Sequence, residues 1–350
     1  MNYFLMNRRR IMLGMEREPY IVFADPVVEQ ICATNWGNGI GVTPSRAARA
    51  TSLGLVFRGN TSIVSFDEME QFGFTEITGG SNAGATTQGA FGSCTSLVSV
   101  TPPNTLTSVG AYAFYGCSNL ESFVFPTGQV TLGQYAFNGC SKLEDVGKPK
   151  VSSLGNSCNR LFYECAKLPS LDLSESTFTS FPSASASGNR PFYGCSSLAL
   201  IILPTTCTTI GNYVFYGVVA TSITGLNNIT SIGTNAFRTA KITELVLPKI
   251  VTINKTAFYQ CTSLSSVDIG NTCTSIGTEV FRNCSSLRTF ICRATTPPTL
   301  GTNNFVGVHS SFKIYVPYSI DHSVLTAYQT DWSAYSSDIN ELDSNGNIPT

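Results

Sequence analysis

The stretch AYAFYGCSNLESFVFP, Ala111 to Pro126, decides the fold, because close copies of it recur along the chain. Its core is a Phe followed three residues later by Cys, and three later again by Leu. The pattern reads FGSCTSL from Phe91, FYGCSNL from Phe114, FNGCSKL from Phe137 and FYECAKL from Phe162. It returns as FYGCSSL from Phe192, FYQCTSL from Phe258 and FRNCSSL from Phe281. Phe215, Phe237 and Phe305 keep the aromatic ring and place Val218, Ala240 and Val308 at the Cys position. Successive Phe spacings are 23, 23, 25, 30, 23, 22, 21, 23 and 24 residues.

Each unit has a second half. A short apolar strand follows the Leu, as in LESFVFP to Pro126, LALIILP to Pro204 and ITELVLP to Pro248. A step ending in Gly comes next: LTSVG at Gly110, CTTIG at Gly211, ITSIG at Gly233 and CTSIG at Gly277. One short strand and one tight turn cannot bury an apolar face alone, so neighbouring units must stack into a solenoid. The apolar strand residues, the Ile of the Gly step and the Phe point inward as ladders, while the parallel strands stack at roughly 4.8 Å.

The same unit accounts for the composition. Charged residues make up 12% of the 350, about half the roughly 25% of an average soluble domain, whereas Ser and Thr total 80. With 21 Lys plus Arg against 22 Asp plus Glu, no broad cationic face can form. That argues against nucleic-acid binding and against docking on anionic lipid. No run approaches the roughly 20 apolar residues of a membrane span, so no membrane insertion is expected. Seven of the 12 cysteines share one repeat position, and Cys207 and Cys273 stand where Leu106 and Ile229 stand elsewhere. Replacement by Val and Ala predicts buried free thiols rather than half-cystines.

The unit AFxxCxxLxxVxLPxxVTxIG resembles the BspA-like, Treponema-type leucine-rich repeats, of the kind found in gut-bacterial and prophage proteins. The resemblance covers about residues 85–310, and FKIYVP (Phe312 to Pro317) with WSAYSSDI (Trp332 to Ile339) is similar to the ending of gut-bacterial members. It implies an α/β repeat solenoid, curved and right-handed, with short parallel strands and a binding or adhesive role without catalytic residues. The expected domains are an N-terminal anchor or cap at 1–80 with short helices, an array of about ten units at 81–310, and a C-terminal cap at 311–350.

Residues 1–80 do not follow the repeat. Arg8, Arg9 and Arg10 precede an apolar run of only Ile11 to Met15, short of the roughly 7–15 residues of a secretory signal. If the start is genuine, a virion component released by lysis is expected; otherwise the bacterial surface or secretion is. The region is also expected to anchor a particle or build a homo-oligomer. Short helices are predicted from about Pro26 to Ala33 and Pro44 to Ala50. Between them, NWGNGIGVT (Asn35 to Thr43) resembles a shortened, degenerate EF-hand loop. Gly37 and Gly39 take ligand positions and Arg46 the closing one, which favours a capping element over calcium. Ser52 to Phe72 reads as an irregular first strand pair or repeat. FPSASASGNR (Phe181 to Arg190) reads as a loop insertion.

Catalysis needs a nucleophile, a base and an orienting partner together. The two histidines, His309 and His322, lie in no nucleophile elbow, and no Walker or dinucleotide glycine pattern occurs. No enzyme, cofactor or metal is expected. Solenoids bind along an exposed strand face. One outward row runs through Ser122, Asp145 and Glu244, and the adjacent row through Val124, Asp172, Ile202, Val246, Asp268 and Ile291. These nine are the candidate binding residues for a protein or glycan, although ordinary strand propensity also places β-branched residues there. A third row follows each Phe: Tyr115, Tyr163, Tyr193, Tyr216 and Tyr259, for edge packing or for stacking on sugar. The expected function is noncatalytic recognition or adhesion at a bacterial surface or on a virion; the alternative is an intracellular structural scaffold.

Overall fold

The computed structural model describes residues 18–80, 88–184 and 189–349. The Arg8–Arg10 start and the centre of the Phe181–Arg190 insertion lie outside the described residues. Two compact units divide the chain, Met1–Gly147 and Lys148–Thr350.

In the first unit, Asp25 starts helix α1 (Pro26–Asn35), its carboxylate accepting from Val27 and Val28 N–H. The other carboxylate oxygen accepts from Val64 and Ser65 N–H, so one buried side chain ties the helix to the first strand. Helix α2 covers Pro44–Ala47 and ends three residues earlier than predicted. Strand Ser65–Phe66 pairs with Ser99–Val100, and single bridges continue the row from Ser99 to Ser122 to Asp145. On the Gly-step side, Glu76–Ile77, Ser108–Val109 and Val130–Leu132 pair in parallel.

The second unit repeats this plan. Ser170–Asp172, Leu200–Ile202 and Ser222–Thr224 form one parallel sheet. Glu244–Leu247, Ser266–Ile269, Thr289–Cys292, Lys313–Val316 and Ile339–Glu341 form another. The Gly steps supply a third, six-stranded sheet from Ser180–Phe181 to Thr299–Leu300. The solenoid therefore carries two short strands per repeat, where the sequence predicts one strand and a turn. The Gly step pairs because its glycine lets adjacent backbones close up: a Cβ on Gly277 would lie 2.5 Å from the Lys255 nitrogen. Among the described residues α-helix is confined to the flanks, one short 3-10 turn, Leu226–Asn228, lies within the array, and turns connect the strands of the repeats.

The core is a pair of ladders. Phe91 stacks on Phe114 at 5.1 Å and Phe237 on Phe258 at 5.0 Å, with rings 7° and 12° from parallel. Stacking starts earlier than the predicted array, at Phe57, which lies 5.3 Å from Phe91. Phe57-Arg58-Gly59-Asn60 is a rung with Asn60 in the Cys position. Beside the rings run the thiols. All 12 cysteines are buried and free. The repeat cysteines are not only small apolar fillers: the Sγ–H of Cys94, Cys117 and Cys140 donates to the carbonyls of Phe57, Phe91 and Phe114, at 3.1, 2.9 and 3.2 Å. Cys195, Cys261 and Cys284 do the same toward Phe162, Phe237 and Phe258.

The ends of the ladders are covered. Trp36 packs on Phe57, Phe72 and Phe74 in the first unit. In the second, Tyr335 sets its edge against Phe305 at 5.1 Å, and the Trp332 indole donates to the Pro298 carbonyl. Tyr328, on helix α3 (Ser323–Asp331), donates to the Ala294 carbonyl and contacts the Cys292 thiol.

Candidate binding surface

Parallel pairing places the predicted outward residues side by side. Val246 is in register with Asp268, Asp268 with Ile291, and Ile291 with Tyr315. Glu244 heads the adjacent row, through Ser266 and Thr289 to Lys313. In the neighbouring sheet of the same unit, Asp172 is in register with Ile202 and Ile202 with Thr224. In the first unit, Ser122 lies between Ser99 and Asp145, and Val124 is 50% exposed. All nine predicted residues face outward. Val246 is 54% exposed, whereas Ile202 and Ile291 are half-buried between their row neighbours.

Their chemistry divides them. Asp145 accepts from Gly147 N–H and Asp172 from Ser174 N–H, each stabilising the turn that ends its strand. Burial would raise the Asp172 pKa, but the hydrogen bonds from Ser174 and Lys148 outweigh it and hold the carboxyl below its ordinary value. Asp268 is engaged differently. Its two carboxylate oxygens accept from Nε and Nη2 of Arg293, both at 2.8 Å, and Arg293 also donates to the Gly346 carbonyl at 3.3 Å. The carboxylate raises the Arg293 pKa further. A planar pair of this kind fixes both side chains more firmly than a Lys–carboxylate contact.

This pair borders a depression of about 390 Å³ lined by Val246, Pro248, Asp268, Gly270, Asn271 and Arg293. It combines an exposed valine with a paired charge and an amide. Sequence reasoning found Val246 and Asp268 and missed Arg293, Asn271 and Tyr315. Arg293 lay within reach of the period-two rule, since it stands two residues beyond Ile291. Asn271 and Pro248 sit on turns, where no periodicity operates.

The BspA-type leucine-rich repeat region, in six copies, matches residues 69–189 and 186–311. The chain belongs to the BspA-type leucine-rich repeat family. No curated protein is detectably similar to it in sequence. Among solved structures, a leucine-rich repeat protein from Bacteroides ovatus is similar at 17% identity and a TM-score of 0.43, covering 84% of this chain and 88% of that one. A leucine-rich cell surface protein from Faecalibacterium prausnitzii is similar at 20% identity and a TM-score of 0.37, covering 76% and 86%. The pneumococcal vaccine antigen PcpA gives 14% identity and a TM-score of 0.25, covering 79% and 85%.

In this BspA-type chain the two histidines have structural partners. The Nδ1 of His309 accepts from Ser311 N–H at 3.0 Å and lies 2.9 Å from Arg288 Nη1. His322 pairs with Glu341 at 2.6 Å. In the loop that resembles an EF-hand, Arg46 donates to the Gly37 carbonyl at 3.0 Å. Among the described residues, no helix is long and apolar enough to cross a membrane.

Proposed function

We propose that this BspA-type protein is a noncatalytic recognition or adhesion protein that binds a protein or glycan through its outward strand rows. The observation that supports this most is the depression at Val246, Asp268 and Arg293, where an exposed apolar side chain stands beside a fixed charged pair. Interfaces draw affinity from a desolvated apolar anchor flanked by oriented polar groups. In this reading residues 81–310 form the recognition array, 311–350 close it, and 1–80 cover its start and anchor or oligomerise the protein. Display at a bacterial surface or on a virion fits a low-charge, hydroxyl-rich exterior.

The test is binding to mucin-coated surfaces and to intact gut bacteria. Replacing Val124, Ile202 and Val246 together by Asp should lower retention by about tenfold or more, without changing the melting temperature. Undiminished retention of the folded triple variant would overturn the strand-face assignment.

A further inference from the structure

Three consecutive corners of the second unit widen by one residue per repeat. Leu247, Ile269 and Cys292 are in register at the end of one sheet, and Ile253, Ile276 and Leu300 are in register in the other. The chain advances six residues from Leu247 to Ile253, seven from Ile269 to Ile276 and eight from Cys292 to Leu300. On these corners lie two adjoining depressions, of about 390 and 300 Å³, which share Asn271. Cavities of about 300–1,000 Å³ hold small ligands. The wall of the second is fixed from behind: the Ala294 carbonyl accepts from the Tyr328 hydroxyl at 2.8 Å, and the Pro298 carbonyl from the Trp332 indole at 2.9 Å. A preformed wall lowers the ordering cost of binding.

The first depression sets the exposed Val246 methyls and the Pro248 ring beside the Asp268–Arg293 pair. That pair is neutral as a whole. Its carboxylate keeps unused lone pairs, and Arg293 keeps N–H groups beyond those given to Asp268 and Gly346. Asn271, Thr295 and Thr296 are exposed, and no hydrogen bond engages their side chains among the described residues. The surface thus offers an apolar spot, an open amide, a neutral donor–acceptor pair and two hydroxyls in sequence. An extended peptide that adds to a sheet needs a free strand edge. Ser266–Ile269 and Thr289–Cys292 are paired on both sides, so no such edge borders the first depression.

We propose that the two depressions bind a short neutral oligosaccharide of N-acetylated hexosamine. The acetamido group combines the two features that stand side by side here: its methyl meets Val246 and Pro248, and its amide pairs with the Asn271 amide, which both donates and accepts. Ring hydroxyls, donors and acceptors at once, meet the remaining lone pairs of Asp268 and N–H groups of Arg293. The next sugar lies beyond Asn271, against the Thr295 and Thr296 hydroxyls. Among the described residues no aromatic ring lines either depression, so recognition rests on the acetamido group rather than on stacking. The assignment rests on the recognition role proposed for the strand face and names the ligand class for one part of it.

The experiment is a saturation-transfer NMR titration of the full chain with chitotriose, the trimer of N-acetylglucosamine. Cellotriose, which has the same backbone without acetamido groups, and the cationic glucosamine trimer serve as comparisons. Chitotriose should bind with its acetyl methyls most strongly saturated, and both comparisons should bind at least about tenfold more weakly. Asn271→Ala, at an exposed turn position, should lose about tenfold in affinity, since the ligand amide is left unpaired. Thr296→Val, also exposed, should lose about threefold and checks the result if the first variant melts early. No chitotriose binding, equal binding of cellotriose, or unchanged affinity in folded Asn271→Ala would each overturn the proposal. If chitotriose fails while the triple variant at Val124, Ile202 and Val246 still loses retention on mucin or bacteria, the sugar assignment alone falls. If chitotriose fails and that retention is also undiminished, the strand-face reading falls with it.

Discussion

The Cys117 thiol donates to the Phe91 carbonyl at 2.9 Å, across one full repeat. That carbonyl already accepts the Cys94 N–H at 3.0 Å, so the thiol serves its second lone pair in a site that water does not reach. A cysteine here fills the space of a small apolar residue and also bonds one turn to the next. Cys117→Ala should therefore destabilise the protein by about 2 kcal/mol, combining a lost hydrogen bond with a small cavity. Cys117→Val, which fills the volume without donating, should cost about 1 kcal/mol. Urea denaturation separates the two, and equal stability of native and Ala variants would refute the thiol's bonding role.

Accessibility gives a second expectation. Because all 12 thiols are buried, a disulfide reagent near neutral pH should titrate none of them quickly in the native protein and all 12 after unfolding. Rapid native labelling, or fewer than 12 after unfolding, would contradict the buried, free assignment.

Alkaline pH should unfold the chain. Burial pushes the thiols of Cys94, Cys158, Cys195 and Cys273 up to about 12 from an ordinary 9.0. The folded state thus keeps protons that the unfolded state loses. Stability is fully present below pH 9 and falls as pH rises toward 12, by up to about 1.4 kcal/mol per pH unit for each such thiol. Urea midpoints measured upward from pH 7 should drop above pH 9, and Cys195→Val should drop less steeply by one group. Identical slopes would show that thiol burial does not govern the response.

Two turn positions should respond in opposite directions. Gly277 has a neighbour's backbone where its Cβ would go, so Gly277→Ala should cost about 2–4 kcal/mol. Thr239 holds φ at 60°, a conformation that disfavours a β-branched residue and that Gly217, one repeat earlier, adopts at 69°. Thr239→Gly should stabilise the protein by up to about 1 kcal/mol, strain relief exceeding the entropy that glycine adds to the unfolded chain. Thermal melts of the two variants check both signs.

At the N-terminal end, Asp25→Ala should destabilise the first unit by about 2–4 kcal/mol, because four backbone N–H groups lose their acceptor at once. Hydrogen exchange at Val64 and Ser65 should accelerate in the variant. Unchanged protection there would show that the carboxylate does not hold the strand.

Much of this molecule was legible in one dimension because a repeat converts spacing into structure. Phe every 21 to 30 residues specified the aromatic stack, and the alternation within each strand specified which side chains face out. The rung at Phe57 was also present in the sequence, as Phe-x-Gly with an amide in place of the thiol, but Asn60 broke the pattern that the cysteines set.

The sequence alone determined the repeat, its inward ladders, the burial of the cysteines and the outward rows, since each follows from periodicity along a single chain. Tertiary structure decided what lies between repeats: the Cys117 thiol on the Phe91 carbonyl, Arg293 on Asp268, and Arg190 and Arg238 between tyrosine rings. These contacts join residues 21 to 26 positions apart, in different repeats. They depend on the register and side-chain directions that arise only when one turn of the solenoid stacks on the next.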